Sequence, residues 1–383
     1  MNQTEDWWLG ALAPQTTDGV ATPPGKIVDL GPQHPSRAGL LRLRVDLDDR
    51  RRISSVAIQP GFLHRGAEKL FEVRDYRQVL MLADRHDWQA PFSGELVAAL
   101  ACEQLLGLSA PPRAVWLRTL LAEVARIHSH LGLLTWVGHA LADRGLSART
   151  RRARDTCREL MLALSGNRLH PMLNRLGGLA GDPDPSWFKA LAQWLDEVDS
   201  LPLRDGVIDL ALPGGLAEMS FEQVQAFGVS GPAARASGWV GDLRRQPGYL
   251  AYSDLEWPSV ENPVTTGDVT ARFLWLTHDI QYSTQLVRQC VERLAGIDSP
   301  ITTPLSRIIK LPDAETWLTI EAPLGLAGIH VVSRGGTTAW RFKLRTPTFA
   351  QVNVLQQVLV GVPEQWAPAV IASFGYTIGD LDK

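Results

Sequence analysis

Leu117-Arg118-Thr119-Leu120-Leu121-Ala122-Glu123-Val124-Ala125-Arg126-Ile127-His128-Ser129-His130-Leu131-Gly132-Leu133-Leu134 carries the clearest periodicity in this chain. Leu117, Leu120, Leu121, Val124, Ile127, Leu131 and Leu134 recur at spacings of three and four, the repeat of a core-facing helical stripe. The pattern predicts one long helix from about Arg113 to Arg144, opened by Pro111-Pro112. Working outward, a helical period holds from about Glu68 to Ser200. Gly94–Leu106 is apolar on one face, and a helix over Ser147–Ser165 opens with Arg149, Arg151, Arg152 and Arg154 and turns at Gly166. Gly177-Gly178 and Pro183–Pro185 mark a loop before a helix near Trp187–Leu201. Ser220–Phe227 reads as a short helix, Arg235–Thr265 as irregular, and Val269–Leu294 as a second long helix.

Both ends of the chain change character. Pro14, Gly19, Pro23, Pro24 and Gly25 interrupt any period and suggest a flexible leader over 1–25. Leu41, Leu43, Val45 and Leu47 alternate with Arg42, Arg44 and Asp46 as a half-buried strand does, and Asp48–Arg52 reads as a hairpin tip. Trp317–Ala322, Ala327–Ser333 and Ala339–Leu344 read as strands with Arg334-Gly335-Gly336 as a turn, and Leu355–Val360 as a short helix. The expected organisation is a leader over 1–25, a β region over 26–67, a helical core over 68–310, and a β/α region over 311–383 packing on that core. The class is α+β, mainly helical.

Composition excludes several functions. The chain has 383 residues, 45% hydrophobic and 21% charged, which is ordinary globular content. A formal charge of −3 offers no global basic field for nucleic acid. Cys102, Cys157 and Cys290 are three, scattered, and without CxxC spacing. They form neither a disulfide framework nor a metal-binding pair, and a reducing compartment is the simpler reading. No signal-peptide order opens the chain, and Glu103 and Gln104 interrupt the apolar stretch at Leu96–Leu108 well short of a membrane span. No GxxxxGK[ST], GxGxxG, HExxH or GxSxG motif occurs. His128 and His130 are two apart on a helix and face different directions, so one is expected buried and the other at a surface.

A series of ordered motifs goes further. Gly31-Pro32-Gln33-His34-Pro35-Ser36 is followed by Gly39-Leu40-Leu41-Arg42-Leu43 and by Gly61-Phe62-Leu63-His64-Arg65-Gly66-Ala67-Glu68-Lys69-Leu70. Arg85-His86-Asp87-Trp88-Gln89-Ala90-Pro91, Gly166-Asn167-Arg168, Arg175-Leu176-Gly177-Gly178, Arg235-Ala236-Ser237-Gly238, Gly267-Asp268-Val269 and Arg345-Thr346-Pro347-Thr348-Phe349 follow in order. The chain closes on Ile371-Ala372-Ser373 and Gly379-Asp380-Leu381-Asp382-Lys383, with Phe374-Gly375 departing from the pattern. The whole series resembles the 49-kDa (D) subunit of proton-pumping NADH-quinone oxidoreductase, respiratory complex I, from Gly31 to Lys383.

The resemblance implies the fold of the large subunit of nickel–iron hydrogenases, a helical core with β structure at both ends. There, two CxxC pairs hold the metals. Here the equivalent places fall around Asp87–Ala90 and Ile378–Asp382 without cysteine, so nickel–iron chemistry is excluded and no cofactor is expected on this chain. In complex I the emptied cavity holds the quinone head group. Electrons come from an iron–sulfur cluster in a B-like subunit, an H-like subunit admits the quinone tail from the membrane, and a C-like subunit covers the outer face. NADH and FMN are handled elsewhere in the assembly. The implied location is peripheral, on the cytoplasmic face of a bacterial plasma membrane.

Three family positions differ. The second histidine of the family's H-P-x-x-H-G is Ala38, leaving His34. The tyrosine of its R-x-D-Y is Trp88, between Arg85-His86-Asp87 and Gln89. The aspartate on the long helix falls, by ungapped register, on Ala140. Alanine donates nothing, and tryptophan is an N–H donor that keeps its proton at neutral pH. Candidates for lining a remodelled pocket are therefore His34, Ala38, Arg85, Asp87, Trp88, His139 and Ala140, with His86 as a further donor. His139 and Asp143, four apart, are expected as a helix-surface pair. His64, Arg65, Glu68 and Lys69 belong to the structural motif, with Glu68–Lys69 and Glu123–Arg126 read as ion pairs and Arg149–Arg154 as a solvated face. Two roles follow: a subunit that still lines a quinone-reduction site, or a scaffold in a complex-I-like assembly whose site is degenerate or whose donor differs.

Overall fold

In a computed structural model, the described residues are 3–9, 26–28, 41–259, 261 and 263–383. Strands β1 (Gln3–Leu9), β2 (Lys26–Val28), β3 (Leu41–Leu47) and β4 (Ile53–Gln59) form a sheet of order β2-β1-β3-β4, with β1 parallel to β2 and antiparallel to β3. The alternation in β3 does what its sequence predicts: Leu41, Leu43, Val45 and Leu47 are buried. Gln3–Leu9 lies inside the stretch whose composition suggests a leader, and it is a strand instead. It pairs along its whole length with β3 and buries Trp7, Trp8 and Leu9, so its conformation comes from a partner distant in sequence. The tip at Asp48–Arg52 forms as expected, with Asp48 Oδ1 accepting the Arg50 and Arg52 backbone N–H groups at 2.9 and 2.8 Å.

The helices follow: α1 (Ala67–Glu72), α2 (Tyr76–Ala83), α3 (Pro91–Leu106), α4 (Pro112–Ala140) and α5 (Arg144–Ser165). After a short hairpin of β5 (Asn174–Arg175) and β6 (Gly178–Leu179) come α6 (Pro185–Asp199), α7 (Leu203–Ile208), α8 (Phe221–Phe227), α9 (Gly231–Arg235) and α10 (Val269–Leu294). Helices α3 and α4 are buried on nearly every side, which is why their composition is apolar well beyond one stripe. Helix α4 packs against α3, α5, α10 and α12 (Ala367–Ser373). It ends at Ala140, short of the predicted Arg144. Asp143 caps α5 by accepting the Leu146 N–H at 2.9 Å, so one predicted helix becomes two with a turn at Leu141–Asp143. Ser220 caps α8 in a reciprocal box with Gln223.

Strands β7 (Asp313–Ala322), β8 (Gly325–Arg334) and β9 (Arg341–Arg345) make an antiparallel sheet against which α3 packs, followed by α11 (Pro347–Val358), α12 and α13 (Ile378–Leu381). The helix expected over Leu355–Val360 thus begins eight residues earlier, with Pro347 in its first turn. The two ends of the chain meet. Ile53 exchanges backbone hydrogen bonds with Gly361 and Val362 at 2.7 and 2.9 Å, and α11 packs on β4. One apolar core runs through helices and both large sheets, with a satellite of Ala236, Ala271 and Trp275.

Candidate functional site

The structure brings together three segments far apart in sequence: the loop Gly61–Gly66, the turn Arg85–Ala90 between α2 and α3, and the terminal stretch Thr377–Lys383. Asp382 fastens the first to the last. Its two carboxylate oxygens accept the Gly61 and Leu63 backbone N–H groups, each at 2.8 Å. Arg65 joins the first to the second by donating to the Arg85 carbonyl at 3.3 Å. Gly379 packs so tightly that an added Cβ would stand 2.5 Å from the His86 carbonyl oxygen and 3.1 Å from Trp88 Cζ2, a space only glycine fits.

Within the turn, each side chain has a different task. Arg85 pairs with Asp84 at 2.9 Å and reaches the Met172 sulfur at 3.3 Å. Trp88 is half-buried, and its indole N–H donates to the Arg85 carbonyl at 2.9 Å. Gln89 accepts from Arg154 at 3.2 Å. Arg154 is 1% exposed, so this member of the basic cluster in α5 points inward to hold the turn, where a solvated face was expected. Burial and neighbouring Arg158 lower its pKa to about 9. Arg151 and Arg152 do face outward, toward Asp155 and Glu197 at 3.7 and 3.5 Å.

Asp87 is buried and accepts at one oxygen from the Gln89 backbone N–H and the Thr377 hydroxyl, both at 3.0 Å. Asp380, also buried, accepts the Thr348 N–H at 3.2 Å. His86, Asp87 and Asp380 line one small cavity with Ser93, Gly94 and Arg345. It leaves ≈ 10 Å³ for the centre of a water molecule, room for about one water. His86 Nε2 is 3.8 Å from Asp380 Oδ1, beyond direct hydrogen-bond reach. Burial raises the pKa of both aspartates. For Asp380 the charge of Asp87 adds to the effect and the value reaches about 8. Burial, with the charges of Lys383 and Arg65, drives His86 down to about 4, so it is neutral at pH 7. Alongside, burial and the Asp84 charge push buried Glu95 up to about 8, and burial pushes Asp84 to about 7.

His34 and Ala38 lie outside the described residues. His139 is exposed at the end of α4 and Ala140 half-buried beside it. Since Asp143 caps the next helix, the expected His139–Asp143 pair on one helix surface does not form. The motif residues also pair differently from expectation. Glu68 binds Arg341 and the Leu344 N–H, while Lys69 pairs with Glu72 at 2.7 Å. His64 is exposed.

The Glu123–Arg126 pair does form, at 3.3 Å, but inside a larger network. Glu123 also accepts from Arg244 at 3.1 Å and from Tyr252 and Ser283 at 2.6 Å. Asp279 binds Arg235 at 2.7 Å and lies 3.5 Å from His130; Arg235 also binds Glu321 at 3.0 Å, and Arg244 binds Asp242 at 2.7 Å. His128 and His130 are both buried, contrary to expectation, because α4 has no solvent face at either position. Sequence reasoning missed Asp380 and this network. The acidic residues of an otherwise apolar C-terminus were the available signal for the first. For the second, whose members come from six separate segments, the Glu123–Arg126 spacing was the one signal.

The sequence matches the family model for the respiratory-chain NADH dehydrogenase 49 Kd subunit over residues 147–308 and 302–383. It is 42% identical over 363 residues to the D 2 subunit of NADH-quinone oxidoreductase from Salinispora tropica, covering 93% of each chain. The chain belongs to this family. The D 1 subunit of NADH-quinone oxidoreductase from Streptomyces coelicolor is 39% identical over 95% of this chain and 97% of its own. Among solved structures, a chain of the membrane-bound sulfane sulfur reductase, an archaeal respiratory membrane complex, superposes with a TM-score of 0.81 at 28% identity, over 90% of this chain and 94% of that one. As a 49 Kd family member the protein is a subunit of a multi-subunit respiratory oxidoreductase. Among the described residues no helix is long and apolar enough to cross a membrane, and no group of His, Cys, Asp or Glu is arranged to hold a metal ion.

Proposed function

We propose that this 49 Kd family member forms part of a quinone-reduction site in the peripheral arm of a complex-I-like NADH-quinone oxidoreductase, with Trp88 replacing a family tyrosine as an aromatic wall. Trp88 supports the reading: it lies half-buried on the turn where the three motif segments converge, so its ring can offer a face to a planar head group. On this reading the fold is the hydrogenase large-subunit scaffold without its metals. A B-like subunit brings the iron–sulfur donor, C-like and H-like subunits complete the pocket, and the assembly sits on the cytoplasmic face of the membrane. Arg85, Asp87, His139 and Ala140, with His34 and Ala38, are the proposed surroundings, and His64, Arg65, Glu68 and Lys69 their structural support. The purified assembly should reduce quinone, and Trp88→Ala should lower the rate; an unchanged rate removes Trp88 from the pocket.

One observation favours the scaffold reading instead. The only polar atom of the Trp88 side chain is spent on the Arg85 carbonyl and is not offered to a ligand. If the site is degenerate, quinone turnover starts low, and Ala38→His, Trp88→Tyr and Ala140→Asp together raise it. A high rate in the unmodified assembly defeats this reading.

A further inference from the structure

We propose that Asp87 and Asp380 hold a single exchangeable proton between them at neutral pH, through the one-water cavity they share, and so form an internal proton store one residue away from Trp88. The proton sharing is independent of the quinone reading; only its use beside Trp88 rests on that reading.

Two carboxyls line one small cavity, and they are 6% and 1% exposed. Both cannot carry charge cheaply there, since each charge is desolvated and repels the other. The neighbouring cations spend their hydrogen bonds elsewhere, and the charge of Lys383 lowers Asp380 by less than burial and Asp87 raise it. The Arg345 guanidinium donates to the Leu326 and Gly228 carbonyls, Lys383 to the Leu344 carbonyl, and Arg65 to the Arg85 carbonyl. Glu68, across from Lys383, is bound to Arg341. His86 also lines the cavity, and burial keeps it neutral, so it adds no positive charge to that of Arg345 against two carboxylates. What the pair does receive is neutral: the Gln89 and Thr348 N–H groups and the Thr377 hydroxyl. Two of these donors favour ionised Asp87, and Asp380, with one, is left to be protonated.

An independent observation marks the cavity as a place for a hydrogen-bonding guest. His86 Nδ1 is buried with no hydrogen-bond partner among the described residues, and its Nε2 stands 3.8 Å from Asp380 Oδ1. A buried imidazole lacking partners loses its solvation without return, whereas a water in the cavity restores a bond and offers the proton a path between carboxyls.

Infrared spectroscopy of the assembled complex tests the pair directly, by the carbonyl band of a protonated carboxylic acid at pH 7. Other buried acids such as Glu95 add bands of their own, so the quantity read is the difference between wild type and variant. Because one proton is shared, Asp87→Asn and Asp380→Asn should each remove the same band component, the remaining partner ionising once its rival is gone. A variant that removes no component, or two variants that remove different ones, overturns the proposal. Should either variant fail to assemble, Thr377→Val decides. Removing the hydroxyl that favours ionised Asp87 should carry a band component to higher pH than in wild type, and an unchanged titration refutes the shared proton. No quinone turnover enters these measurements, so failure of the quinone reading leaves their outcome unaffected.

Discussion

Two buried acidic regions of this molecule show opposite electrostatics. Around Glu123, Asp242 and Asp279, the guanidinium groups of Arg126, Arg235 and Arg244 lie within contact distance, and despite burial all three carboxyls are held below their ordinary values. Around Asp84, Asp87, Glu95 and Asp380 burial is similar but guanidinium groups are scarce, and all four carboxyls are raised. Burial alone therefore does not decide protonation; the number of committed cations does. Glu321 marks the boundary. It shares Arg235 with Asp279, and burial still raises it. One region is a fixed ionic clamp joining α4, α9, α10 and β7, and the other can gain and lose protons.

The largest way to break this contrast is to remove a clamp cation. Arg244→Met strands Asp242 and removes one partner of Glu123, and should destabilise the chain by ~3–5 kcal/mol, as loss of one partner of a buried pair does. A denaturant titration of the full chain measures it; a loss under ~1 kcal/mol would make the clamp dispensable. Next comes close packing at the other region. Gly379→Ala forces a Cβ against the His86 carbonyl and should cost ~1–3 kcal/mol by the same titration, the usual range for overpacking.

The pH dependence sharpens the contrast further. A carboxyl whose folded pKa is raised contributes stability that is complete below its unfolded value and is lost as pH climbs through its folded value. For Asp380 that window ends near pH 8. Asp380→Asn should flatten the decline in stability across this window by up to ~1.4 kcal/mol per pH unit, the slope of one proton. Clamp carboxylates work the other way, since their contribution stays until the pH falls below the ordinary carboxylate range. The smallest effect is expected at the surface. Arg288 pairs with Asp196 and Asp199 at 2.8 Å in partial exposure, and Arg288→Ala should change stability by less than ~1 kcal/mol and less still in high salt.

The sequence made the helices legible where local periodicity and caps agree, as in α4, α8 and α10. Strand β3 was legible from its alternation. Strand β1 was not, because Gln3–Leu9 has a polar first half and takes its conformation from β3. The site was legible by halves. Arg85–Pro91 and Gly379–Lys383 each stood out as motifs, but Thr377 and Asp87, which hydrogen-bond, are 290 residues apart, and no local pattern pairs them. Arg154 was misread because a helix face rich in arginine looks solvated until the turn holding Gln89 is laid against it.

The clasp made by Asp382 sets an order on assembly of the molecule. It follows Gly61 by 321 residues, so a ribosome working at roughly 5–20 residues per second makes the loop tens of seconds before its fastener. Until then Gly61–Gly66 and the turn at Arg85–Ala90 lack their third segment, and the cavity lacks the Asp380 carboxyl. Helices α3 and α4 can pack during synthesis, whereas the proton-binding centre closes only after translation has passed Asp382.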